Sequence, residues 1–236
     1  MPIVVGRSDW QTPILSAQVR QVVFGPAWNV PRTIAVQELV PMARSDPAAL
    51  TRQHIRVFPD TGATSRDVEV SPDSVDWGAV TDSAFAYRLV QDPGPGNPLG
   101  GVKLSFPNRF GVAAHDTPDH TLFGHPLRIA SHGCVRVARA ADLVNYLLRD
   151  VPPWGPDSVA AAMARPVERW ITLPVPVPIH LAYWTAWVDD EGVLQFRPDV
   201  YGWDETLARA LARRRTGALS LLQDSRGFHA RRGSFR

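Results

Sequence analysis

Twenty-two prolines, spread from Pro2 to Pro198 rather than gathered in one tract, set the tightest limit on what this chain can fold into. Proline removes a backbone donor and breaks the interior of a helix. A bundle of long helices is therefore excluded, and many short elements joined by turns are favoured. The 236 residues, 44% of them hydrophobic, suffice to bury one good core with a small appended subdomain.

Short β-branched or aromatic runs bounded by Gly, Pro or Asp read as strands at Ile3–Val5, Val19–Phe24, Tyr87–Val90, Val102–Phe106 and Leu127–Ala130. Two more, Ile179–Val188 and Val193–Arg197, flank Asp189-Asp190-Glu191-Gly192 and read as a hairpin. Helical signals are fewer. They cover Ile34–Met42, a short helix entered through Ser45-Asp46-Pro47 and ending by His54, Ala138–Arg149, and Trp203–Arg215. The balance predicts an α+β domain, mostly β and mostly antiparallel. Between about residues 35 and 85 the strand pattern fades, which reads as an insertion of the kind that forms a lid. The loop Pro93-Gly94-Pro95-Gly96-Asn97-Pro98 lacks the run of backbone donors that a phosphate cradle needs, and a strand follows it, so it reads as a rigid turn.

Charge narrows the function classes. Residues 209–236 hold eight arginines against one acid, Asp224, a local charge of +7 that leaves the first 208 residues at −5 of the overall +2. A mildly acidic body with a basic, solvated tail is not a nucleic-acid-binding profile, in which cations line a folded face. Lysine occurs once, at Lys103, against 24 arginines. That bias is read as genomic composition, with no function drawn from it. Cys134 is the single cysteine, so no internal disulfide can form. No apolar run reaches the ~20 residues of a membrane span, and Met1–Gly6 lacks the pattern of a signal peptide. The expectation is a cytoplasmic protein or a piece of a longer exported one.

The segment with chemistry in it runs from His115-Asp116-Thr117-Pro118 to Ser131-His132-Gly133-Cys134-Val135-Arg136-Val137. A thiolate is the reactive form of cysteine, and a nearby imidazole can take its proton or stabilise it as an ion pair. Gly133 lets a carbonyl substrate approach, and its N–H with that of Cys134 could hold an oxyanion. If the segment is extended, Arg136 shares a face with Cys134 and could clamp a carboxylate. The plainer readings are a packing cysteine, a loop histidine and an Asx turn at Asp116. A polar Ser-His-Gly context does not suit a packing cysteine. His120, His125, His132 and Cys134 also raise a zinc site. Pro118, Gly124 and Pro126 prevent the helical spacing zinc ligands use, so no metal is expected.

These residues resemble the signature of the murein L,D-transpeptidases of the YkuD type, with His115 nineteen positions before Cys134. Further segments resemble the large periplasmic subclass: Trp28-Asn29-Val30-Pro31, the helical stretch 34–50, Val102-Lys103, Phe106-Pro107-Asn108 and Tyr183-Trp184-Thr185-Ala186-Trp187. The resemblance implies a β-sandwich-like catalytic domain over 1–205 with a helix after the nucleophile and a lid at about 35–85. Residues 206–236 are then a C-terminal helix and a basic, disordered tail. It implies that Cys134 attacks the third-residue carbonyl of a tetrapeptide stem and releases D-alanine. A diamino-acid side-chain amine of a second stem would then take the acyl group. His115 is the implied base, its ring oriented by the Asp116 carbonyl, and the Gly133 and Cys134 amides are the implied oxyanion hole. Ser131, His132 and Arg136 are expected to line the substrate groove. No cofactor is implied, carbapenem-type β-lactams are expected inhibitors, and the expected location is periplasmic or wall-facing. Relatives of this subclass often carry an aromatic hydroxyl where this chain has Ala113, so any substrate contact from it is missing. Two other functions share these residues or this fold: a cysteine hydrolase acting on stem peptides, and a silent wall-binding module.

Overall fold

The computed structural model describes residues 1–60 and 68–213. The backbone divides into two compact units, Met1–Leu181 and the part from Ala182 onward. The architecture is α+β with many strands and few helices, as the sequence predicts.

Seven strands of the first unit make one mixed sheet: β1 (Ile3–Gly6), β2 (Leu15–Phe24), β6 (Val102–Ser105), β7 (Ala114–His115), β8 (Ile129–Ser131), β9 (Val135–Val137) and β10 (Arg169–Leu181). Their order is β10-β2-β6-β7-β9-β1-β8, antiparallel except for β7 beside β9 and β1 beside β8. Alternation along these strands buries Val22, Phe24, Val102, Leu104, Ala114, Val135 and Val137 in one cluster. Ala140, Val144 and Leu148 complete it from the helix Ala140–Leu148, along with Val159 from the helix Pro156–Met163. Each large side chain buried this way contributes roughly 1.5–3 kcal/mol.

A second cluster forms on β3 (Trp28–Asn29), β4 (Ile55–Pro59) and β5 (Tyr87–Gln91), a three-stranded sheet ordered β3-β5-β4. A helical stretch over 32–45 and a short helix, Ala48–Arg52, supply Ile34, Leu39, Val40 and Leu50 to it. Pro41 would break a regular helix here. The turn before it widens instead, with the Val40 N–H reaching back five residues to Ala35 O.

The strand expected from Ile179 begins ten residues earlier, at Arg169, and stops at Leu181. Pro174, Pro176 and Pro178 conceal it in the sequence. It tolerates them because it lies at the edge of the sheet and breaks register between Thr172 and Val177. In the second unit β11 (Ala186–Val188) pairs with β12 (Leu194–Phe196), which is the expected hairpin. Tyr183, Tyr201 and Trp203 pack ring to ring, and a helix covers 204–213. The hairpin and the start of this helix, which the sequence reading separated at 205, belong to one unit. The last two residues of the expected helix, 214 and 215, and the basic tail fall outside the described residues. No described helix is long and apolar enough to cross a membrane.

Candidate active site

Strand β9 starts one residue after Cys134 and runs parallel to β7, with Ala114 opposite Val135 and His115 opposite Arg136. On its other edge β7 pairs with β6, with Lys103 opposite His115. The sheet thereby puts the residue next to Cys134 and His115 on adjacent strands, although the sequence separates Cys134 from His115 by nineteen positions.

The turn carrying the cysteine is fixed from within. The Ser131 hydroxyl donates to Cys134 O at 2.5 Å and accepts the Gly133 N–H at 3.2 Å. Thr12 holds the turn from outside: its hydroxyl donates to Gly133 O and accepts the Gly6 N–H, both at 2.9 Å. Gly133 has φ +102°, a conformation that side-chain-bearing residues rarely adopt. A Cβ there would find its nearest neighbours at an ordinary 3.6 Å, so the backbone angle and not crowding requires glycine.

Cys134 is half-buried, and its Sγ accepts the Ala113 N–H at 3.4 Å. Burial pushes the thiol above its ordinary value, while the Ala113 N–H and the charges of Lys103 and Arg136 pull it back. His115 is 5% exposed. Its Nδ1–H donates to Asp116 O at 2.5 Å, which leaves Nε2 as the acceptor nitrogen. Burial, helped by Arg136 and Lys103 and opposed by the Asp116 carbonyl, lowers its pKa to about 4. At neutral pH the pair therefore rests as thiol and neutral imidazole, not as an ion pair.

The Asp116 carboxylate accepts the Gly101 N–H at 2.9 Å and sits 3.7 Å from His120 Nε2. Gly100, with φ +62°, leaves no room for a side chain here, since a Cβ would come within 2.6 Å of Asp116 Oδ2. A cleft of about 540 Å³ opens beside this segment, lined in part by Asp116, Thr117, His120, Gly101 and Arg165. Arg136 is half-buried, and its Nε is buried with no hydrogen-bond partner. His132 Nε2 lies 2.6 Å from Glu38 Oε1 of the 32–45 helical stretch, and its ring stands edge-on to Trp10 at 4.8 Å.

The profile of the YkuD family, the L,D-transpeptidase catalytic domain, matches residues 1–168. The chain belongs to that family. A Haemophilus influenzae protein with a provisional L,D-transpeptidase name is 29% identical over 205 residues, which are 87% of this chain and 40% of that protein. The chain thus spans well under half of this relative's length.

Within this L,D-transpeptidase domain, one expectation changes. Ser131 was expected to line the groove, but it is 2% exposed and both of its hydrogen bonds stay inside the turn. His132 keeps some exposure but is engaged by Glu38 and Trp10. The missed residues are Thr12, Trp10, Glu38 and Lys103. Only Lys103 carried a signal, as the sole lysine of an arginine-rich chain. Among the described residues no three His, Cys, Asp or Glu side chains converge as metal ligands do.

Proposed function

We propose that the chain is a cysteine-dependent peptidoglycan L,D-transpeptidase that forms 3→3 cross-links on the wall-facing side of the membrane. The observation that carries this reading is the pairing of β7 with β9. That pairing supports the reading: β9 follows directly on the sole cysteine, which sits after a left-handed glycine, and β7 carries a histidine whose Nδ1 is committed to a carbonyl. With both groups neutral at rest, His115 Nε2 takes the thiol proton as Sγ forms a bond to the third-residue carbonyl carbon of a tetrapeptide stem.

The oxyanion binds the Cys134 amide and the Gly133 amide, which exchanges its Ser131 partner for substrate. Collapse breaks the C–N bond, and the amine of D-alanine leaves with the proton from His115. In the second half a diamino-acid side-chain amine attacks the thioester and forms a new C–N bond. Its proton passes through His115 to the departing sulfur. Arg136, with an unused buried donor, suits a stem carboxylate. The cleft beside Asp116, the residue after the candidate base, has the volume of a small-ligand site. Carbapenem-type β-lactams acylate the same sulfur, because ring opening makes the product slow to reverse.

Incubation with a defined tetrapeptide and product analysis test the reading. D-alanine with a cross-linked dimer is the expected result. Tripeptide without dimer would assign water as the acceptor and the enzyme as a hydrolase.

A further inference from the structure

The chain's single lysine sits in the middle of the sheet rather than on the periphery. Lys103 is in register with His115 on one side and Val23 on the other, and His115 is in register with Arg136. Residues in register project from one face of a sheet. Lys103, His115 and Arg136 therefore form a row, with the candidate base flanked by a cation on each side. Trp170 is in register with Val23, and the Lys103 ammonium lies 5.3 Å from the centre of the Trp170 ring. That distance fits a cation–π contact that holds the charge in place.

Lys103 is half-buried, and burial lowers its pKa while Glu168 and Cys134 oppose the shift. The same attraction pulls the Cys134 thiol down from the value burial would give it. The charged groups that act on the sulfur are thus Lys103 on β6 and Arg136 on β9, and His115 on β7 stands between them in the row. Glu168 acts on Lys103, and Asp119 acts on Arg136.

We propose that Lys103 is a positioning residue for the Cys134 thiolate: fixed by strand register and the Trp170 ring, its ammonium supplies, with Arg136, the positive field that holds negative charge on the sulfur. The inference rests on Cys134 being the nucleophile.

The test is alkylation of the full chain by iodoacetamide as a function of pH, read by intact mass. Cys134 is the only cysteine, so every adduct reports its thiolate. Lys103→Met keeps the length of the stem and removes the charge. The alkylation midpoint should rise by about one pH unit, which is about tenfold less thiolate at any pH below it. Lys103→Arg should stay within about threefold of the parent chain. Glu168→Gln removes the acid that offsets the ammonium, and the midpoint should fall.

A folded Lys103→Met protein with an unmoved midpoint would overturn the proposal, and so would a Lys103→Arg protein that shifts as far as Lys103→Met. If Lys103→Met does not fold, Glu168→Gln decides: a fall supports the proposal and no change refutes it. Failure of the transpeptidase reading looks different: the alkylation midpoints would shift as proposed while stem peptides left no acyl adduct.

Discussion

The two faces of the seven-stranded sheet come from the same strands and have opposite character. Val102, Leu104, Ala114, Val135 and Val137 point into a closed apolar core, whereas the alternating positions Lys103, His115 and Arg136 form a row of titratable groups. On the first face every side chain finds an apolar neighbour. On the second, Arg136 Nε is buried without a partner, and burial disfavours the charged forms of both His115 and Cys134. A side-chain period of two lets one short strand stabilise the fold and hold strained electrostatics at once. Damage to the two faces should therefore be separable.

The sharpest separation comes from His115→Ala, which should lower the acylation rate of Cys134 by about 10²–10⁴-fold while the protein stays folded. His132→Ala should cost clearly less, since His132 is occupied by Glu38 and Trp10. Stopped-flow or mass-resolved acylation of the two variants checks the ranking, and the reverse order would exchange their roles. On the apolar face Leu104→Ala should lose about 2–5 kcal/mol of unfolding free energy. The pH midpoint of Cys134 alkylation should stay where it was, and a moved midpoint would show that the faces are coupled.

Stability should also record the charged face. The pKa of His115 in the folded state, about 4, lies below its ordinary 6.5, so the folded chain binds this proton less readily than the unfolded one. The contribution is present above pH 6.5 and is lost as pH falls toward 4, by up to about 3 kcal/mol. Urea unfolding at pH 7, 5 and 4 should show that loss, and His115→Asn should flatten it. Smaller again, Arg136→Gln should reduce kcat/KM for a stem peptide by about 10–100-fold, the range for a hydrogen bond to a charged group. An equal loss with a substrate lacking that carboxylate would remove the clamp assignment. The smallest effect belongs to the arginine-rich end. Deleting residues 217–236 should change turnover of soluble stem peptides less than about threefold, or ~0.7 kcal/mol.

What the sequence disclosed follows from how local each signal is. Strands β1, β2, β5 and β6 are legible because β-branched and aromatic residues crowd together between turn formers. Strand β10 is not, because three prolines hide a strand that only its edge position permits. The helix Pro156–Met163 also escapes notice, since apart from Val159 it buries little and its small residues carry weak periodicity. In the site, His115, Asp116, Gly133 and Cys134 stand out as reactive types in short motifs. Thr12 and Glu38 do not, because their bonds to Gly133 and His132 join residues 121 and 94 positions apart. Ser131 is ambiguous for a related reason: a hydroxyl beside a nucleophile serves the substrate or the turn equally well in sequence, and its burial ties it to the turn.

The central claim is that Cys134 carries an acyl group through catalysis, and intact mass tests it most directly. The folded chain, incubated separately with a stem tetrapeptide and with a carbapenem, should gain one adduct per molecule, mapped to Cys134. Cys134→Ala should abolish the adduct without loss of fold, and Cys134→Ser should be nearly inert, because a hydroxyl beside this imidazole is a far poorer nucleophile. A folded, unmodified chain with neither reagent bound would contradict the account and leave a silent wall-binding module in its place.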